Sequence, residues 1–237
     1  MASTVTVTTA DGDMGLYDAE PDGEPRGGIV VVQEAFGVNP HIEDVTRRFA
    51  AQGYRAVAPH LFHRTGDPVL GYGDFDQIMT HFGALSEAAV LGDVDAALAH
   101  LAHAGLPAAR VGVVGFCMGG TVAFLVSVRR PVGAGVTFYG GGIAEGRLGM
   151  PSQLDMAADL QAPWLGLYGD EDKGIPVEDV EALRTRSAAA RVDTEIVRYP
   201  GAGHGFHCDM RPDYHEASAT DAWRRTLEWF GRHLPAA

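Results

Sequence analysis

The stretch Gly115-Phe116-Cys117-Met118-Gly119-Gly120 stands between two apolar runs, Val111–Val114 before it and Thr121–Val128 after it. A short apolar run, a glycine-flanked turn and a longer apolar run are typical of a nucleophile elbow, where a tight strand-to-helix turn exposes one side chain. That side chain is Cys117. Because the following helix N-terminus would stabilise a thiolate, we predict a reactive nucleophile here rather than a packed core thiol.

Strand and helix patterns alternate along most of the chain. The predicted buried strands are short apolar runs: Gly28–Gln33, Tyr54–Ala58, Val111–Val114, Val132–Phe138, Trp164–Tyr168 and Thr194–Tyr199. Helical spacing marks His41–Gln52, Ala84–His103, Val177–Ala190 and Ser218–His233. An edge strand at Thr4–Thr9, with Met14–Tyr17 as its hairpin partner, precedes them. This order predicts an α/β fold: an open, mostly parallel sheet with helices on both faces.

The length of 237 residues suits a single α/β domain spanning residues 1–237. Two segments interrupt the alternation. Residues 61–83 are rich in glycine and aromatic residues, and residues 140–160 begin with three consecutive glycines. We expect both segments to be excursions beside the functional site.

The net charge of −13, from 18 basic and 31 acidic residues, argues against a nucleic-acid partner and against anionic membrane surfaces. A small-molecule substrate is the expected partner. The chain has only two cysteines, Cys117 and Cys208, and no signal peptide or membrane-spanning run is evident. We therefore expect a cytoplasmic location, while the sequence leaves the oligomeric state open.

Four side chains that could take part in catalysis follow predicted strands: Cys117, Asp172, His204 and Glu34. The carboxyl ends of parallel strands meet at one edge of a sheet, where ligands bind. Asp170 and Glu171 compete with Asp172, and the spacing Gly-x-x-Asp-x-x-Ile-Pro favours Asp172. The order Cys117, Asp172, His204 is that of nucleophile, acid and base in the α/β-hydrolase fold. His204 would take the thiol proton or hold the thiolate as an ion pair.

The loop that begins at Glu34 supplies one oxyanion donor in that layout. We expect the backbone N–H groups of Ala35 and Met118 to form the oxyanion hole. A Glu34 carboxylate beside a thiolate is unfavourable, because like charges disfavour double ionisation. Glu34 therefore either points away or shares the thiol proton.

A metal or an organic cofactor is not predicted. His204, His207, Cys208 and Asp209 carry ligand-type atoms, but no second cluster with zinc-like spacing accompanies them. No glycine-rich fingerprint for a dinucleotide or triphosphate follows the first parallel strand.

Five stretches, in order along nearly the whole chain, resemble the dienelactone hydrolase (carboxymethylenebutenolidase) family. They are Gln33–Asn39, Pro59–Arg64, Gly115–Gly120, the loop around Asp172, and Gly203–Phe206. The resemblance implies a Cys117–His204–Asp172 triad that opens a lactone or cleaves an ester through an acyl-enzyme. It also implies that Glu34 takes the thiol proton when substrate arrives, and that Arg64 binds a substrate carboxylate.

One position departs from the family pattern. Dienelactone-cleaving members carry a second arginine four residues after the catalytic histidine, and this chain has Cys208 there, with Arg211 three residues further on. We expect Phe36, Tyr139, Phe206 and Cys208 to complete the substrate pocket. The predicted function is a cysteine-dependent hydrolase of a small ester or lactone. The alternative is a non-hydrolytic ligand-binding or thiol-sensing protein on the same scaffold.

Overall fold

A computed structural model describes residues 1–235, apart from the side chain of Phe75. In this part of the chain, eight strands form one sheet in the order β1-β2-β4-β3-β5-β6-β7-β8. The strands are β1 (Ala2–Thr9), β2 (Gly12–Ala19), β3 (Gly28–Val32), β4 (Arg55–Pro59), β5 (Val111–Phe116), β6 (Ala134–Phe138), β7 (Trp164–Gly169) and β8 (Thr194–Tyr199). The six strands β3 to β8 run parallel, whereas β1 and β2 form an antiparallel hairpin at one edge. The predicted sheet is therefore confirmed.

The helices are α1 (Pro40–Ala51), α2 (Phe75–Phe82), α3 (Glu87–His103), α4 (Met118–Arg129), α5 (Gln153–Met156), α6 (Val177–Ser187) and α7 (Glu216–His233). The connection from β3 to β4 steps toward β1, whereas the connections that contain α3, α4 and α6 step toward β8. Because crossovers between parallel strands are right-handed, α1 lies on one face of the sheet and α3, α4 and α6 lie on the other. Helix α7 joins α1, since Trp223 packs on Phe49 with ring centroids 4.6 Å apart. None of the helices in residues 1–235 is long and apolar enough to cross a membrane.

Two differences from the sequence predictions lie between residues 61 and 103. The segment 61–83 contains α2, which the sequence analysis did not predict. The predicted helix from Ala84 begins only at Glu87, because the side chain of Ser86 accepts a hydrogen bond from the N–H of Ala89 and caps the helix there.

Gly119 lets α4 begin directly against the sheet. A Cβ atom on this residue would overlap the backbone carbonyl oxygens of Val32 and Gln33 at the end of β3. We expect Gly119→Ala to lower the free energy of unfolding in urea by about 2–4 kcal/mol. The matched control is Gly92→Ala in α3, where a Cβ atom would meet nothing within 4 Å. That change should raise stability by about 0.5–1 kcal/mol, and equal effects of the two substitutions would contradict the close approach at Gly119.

Candidate active site

Cys117 lies at the turn between β5 and α4, in a backbone conformation that residues other than glycine rarely adopt. Its φ is 54° and its ψ is −115°, which is strained for a residue other than glycine. The N–H of Cys117 donates to the carbonyl oxygen of Phe138 over 3.1 Å and fixes the turn. The side chain is half-buried. The thiol therefore stands at the N-terminus of α4, at the carboxyl edge of the sheet.

His204 and Asp172 lie on loops that follow neighbouring strands, and their side chains are in direct contact. His204 Nδ1 is 2.7 Å from Asp172 Oδ2, while Asp172 Oδ1 accepts the N–H of Gly174 over 2.8 Å. Burial lowers the pKa of His204, but its interactions with Asp172 and with Cys117 outweigh this and raise the pKa to about 10. Asp172 thus holds the His204 ring, and both residues line one cavity with Cys117.

The competing carboxylates of this loop are placed elsewhere. Asp170 is bound by Arg198, with its Oδ1 2.7 Å from Nε, and Glu171 is exposed. Asp172 is the buried member of the three and the one that reaches the imidazole.

Glu34 is fully buried at the end of β3, with its carboxylate turned into the protein. Its Oε1 lies 3.6 Å from Nη1 of Arg211, and neither oxygen accepts a hydrogen bond from the described residues. Burial raises the pKa of Glu34, while the charges of Arg211 and His204 oppose the rise. Arg211 therefore supplies a cation next to Glu34, although Cys208 occupies the position where the family pattern has arginine.

Cys208 is buried beneath the site, close to Glu34 and His41. One ligand-type atom of each of these three residues lies within 4.8 Å of those of the other two. The Cys208 thiol is 3.2 Å from Tyr72 Oη, and burial raises its pKa to about 11. Because Arg211 already faces Glu34, a divalent cation here would lie against a guanidinium, and we assign no metal to the cluster.

The predicted oxyanion donors have no competing acceptor. The N–H of Ala35 makes no backbone hydrogen bond among the described residues, and Met118 is the first residue of α4, where helix N–H groups lack intrahelical partners. Both residues border Cys117: Ala35 lines the same cavity, and Met118 follows it in the chain. Two N–H groups beside Cys117 thus lack a backbone acceptor among the described residues.

Some of the predicted substrate-binding residues lie near Cys117 and His204, whereas Arg64 lies elsewhere. Phe36 lines the cavity that contains Cys117, and the Tyr139 ring lies 5.2 Å from that of His204 and 5.3 Å from that of Phe206. The structure does not bring Arg64 to them. Arg64 donates to Asp93 on α3 and to Asp11 in the β1–β2 turn, each over 2.7 Å. The family-derived role of Arg64 therefore lacks support from its position.

A cavity of about 290 Å³ opens at the thiol. Its lining comprises Ala35, Phe36, Ile78, Met79, Phe82, Cys117, Arg147, His204 and Arg211. Sequence reasoning missed the contribution of α2 and of Arg147. The available signal was positional, since both lie in the segments predicted to border the site.

The fold and this site together define an α/β hydrolase. A family model described as the dienelactone hydrolase family matches residues 14–234, and the chain belongs to that family. The "Putative carboxymethylenebutenolidase" of Salmonella typhimurium is 41% identical over 240 residues, covering 98% of this chain and 87% of the relative. The protein of the same name from Methylorubrum extorquens is 42% identical over 238 residues, covering 98% and 81%.

Solved structures agree with this assignment. The crystal structure of a "Putative Dienelactone Hydrolase" from Klebsiella pneumoniae superimposes with a TM-score of 0.91 at 40% identity, covering 98% of both chains. The resemblance inferred from the sequence is confirmed, and the chain is a dienelactone hydrolase-like hydrolase.

Proposed function

We propose that this hydrolase cleaves small esters or lactones through an acyl-enzyme on Cys117. The observation that carries the proposal is the series of side chains Asp172, His204 and Cys117, which line one cavity at the carboxyl edge of the sheet and in which Asp172 and His204 are hydrogen-bonded. This series has a nucleophile, a base that can reach it and a buried carboxylate that orients the base. A reducing, cytoplasmic compartment is the proposed location, because the nucleophilic thiol must stay reduced.

The raised pKa of His204 favours its imidazolium form in the resting enzyme, which can protonate a leaving group. In the proposed reaction the thiolate attacks the ester carbonyl, and the N–H groups of Ala35 and Met118 stabilise the oxyanion. His204 gives its proton to the leaving alcohol and then activates the water that releases the acid.

Glu34 and Arg211 give a physical basis for control by substrate. In the resting state the Arg211 guanidinium lies 3.6 Å from the Glu34 carboxylate and keeps that charge compensated. An anionic substrate that drew Arg211 away would leave Glu34 buried and uncompensated, and Glu34 would then take the proton of the Cys117 thiol and leave the thiolate that attacks the ester. Arg211 would thus serve in place of the arginine that Cys208 replaces.

Acylation can be tested with p-nitrophenyl acetate. We expect a burst of nitrophenol stoichiometric with enzyme, followed by steady turnover, and a quenched sample should carry one acetyl group on the peptide that contains Cys117. One labelling event without turnover would instead support the thiol-sensing alternative, and acetyl at another residue would contradict the role of Cys117.

A further inference from the structure

Two cavities meet at the reacting groups, and both contain Cys117, His204 and Arg147. The first is the 290 Å³ cavity, which we call the apolar arm because Phe36, Ile78, Met79 and Phe82 line it. The second, of about 450 Å³, we call the polar arm, because Glu171, Lys173 and Asp213 line it. A linear ester bound at Cys117 would extend one portion into each arm.

The placement of the catalytic groups distinguishes the arms. Ala35, whose N–H would hold the carbonyl oxygen, lines only the apolar arm. The polar arm runs along the loops that carry His204, including Gly203 and Asp172. Because His204 must protonate the departing alcohol, the alcohol leaves on this side. The apolar arm then receives the acyl group.

Arg147 stands where the two arms join, and its charge is uncompensated. It is exposed, and its guanidinium makes no ion pair or hydrogen bond within residues 1–235. Gly141 and Gly142 leave room for its side chain, since a Cβ atom on Gly141 would lie 2.6 Å from Nη1 of Arg147. By contrast, Arg64 is paired with Asp93 and Arg211 with Glu34.

The carboxylates of the polar arm do not neutralise this cation. Glu171 and Asp213 make no ion pair with Arg147, and Asp213 is 3.5 Å from Arg211. Lys173, also without an ion pair among the described residues, adds a second positive charge to the same arm. A guanidinium left open beside the reacting bond is suited to two-point binding of a carboxylate or phosphate.

We propose that Arg147 determines specificity by binding an anionic group on the alcohol portion of an ester whose acyl portion is apolar. The inference rests on the proposed function, because it uses His204 as the acid for the leaving group. It assigns the anion to the leaving side and to a residue outside the motifs that carry the family resemblance.

Matched esters test the inference. In para-carboxyphenyl butyrate the anion is on the alcohol portion, para-carbamoylphenyl butyrate is its neutral counterpart, and the phenyl monoester of succinic acid carries the anion on the acyl portion. We expect Arg147→Gln to lower kcat/KM about 10-fold for the carboxyphenyl ester and to change the other two by less than about 2-fold. Arg147→Lys should restore part of the loss. Arg186→Gln, which removes an exposed arginine of α6, should change none of the three.

Each contrary result has a distinct meaning. An equal loss for the charged and neutral butyrates would overturn anion binding by Arg147, and a loss confined to the succinate ester would overturn the assignment of the arms. If the neutral butyrate were not hydrolysed in a Cys117-dependent manner, the proposed function and this inference would both fail.

Discussion

Replacing Cys117 with alanine is expected to lower kcat/KM for small esters by about 10⁴-fold or more, because no other side chain can form the acyl-enzyme. Cys208 cannot substitute, since it is fully buried and bound to Tyr72. The measurement is the initial rate with p-nitrophenyl acetate for purified Cys117→Ala and parent protein.

Two controls make this result interpretable. Far-UV circular dichroism and urea unfolding should show that Cys117→Ala is folded, because the alanine keeps the Cβ atom and only a half-buried sulfur is lost. Arg186→Gln should keep parental activity, since Arg186 is exposed on α6. A Cys117→Ala enzyme within about 10-fold of the parent would exclude Cys117 as the nucleophile.

Asp172→Asn is expected to lower kcat by about 10³- to 10⁴-fold. Asp172 accepts a hydrogen bond from His204 Nδ1 over 2.7 Å, whereas an asparagine amide could donate to that nitrogen and stabilise the wrong tautomer. The control is Asp170→Asn in the same loop, which breaks only the partly exposed pair with Arg198 and should keep activity within about 3-fold. Equal losses in the two variants would contradict the selection of Asp172.

The pH profile gives this prediction a second readout. His204 has its pKa raised to about 10, so its protonated form, which supplies the acid, is present below that pH and is lost as the pH rises through it. We therefore expect an alkaline limb of kcat/KM near pH 10 for the parent. Removing the Asp172 charge should move the residual limb of Asp172→Asn to lower pH. An unchanged limb would show that another group controls it.

The sequence predicted the parts of the site that follow from topology. Cys117, Asp172 and His204 come together because each follows a parallel strand, and the carboxyl ends of such strands share one edge. That argument needs no knowledge of side-chain packing.

The order of strands does not predict the contacts of the arginine side chains. The partner of Arg64 is Asp93, which is distant in sequence and comes into reach only when α3 packs beside the sheet. A long, flexible side chain can reach several partners, so its position in the chain does not fix its contact. The same holds for Arg147, because the position of its side chain depends on the path of the loop at Gly141. Helix α2 was missed because its eight residues are too few for a clear helical spacing.

At Cys117 the requirement for a stable backbone conformation conflicts with the requirement for a nucleophilic thiol. A left-handed backbone at a residue other than glycine costs about 1 kcal/mol or more, so glycine at position 117 would make the elbow easier to fold. A directed-evolution screen that rewarded only survival of heating would favour that replacement and discard the thiol. Engineering this chain for industrial use would therefore require selection for turnover in every round, with stabilising changes sought at sites such as Gly92 instead.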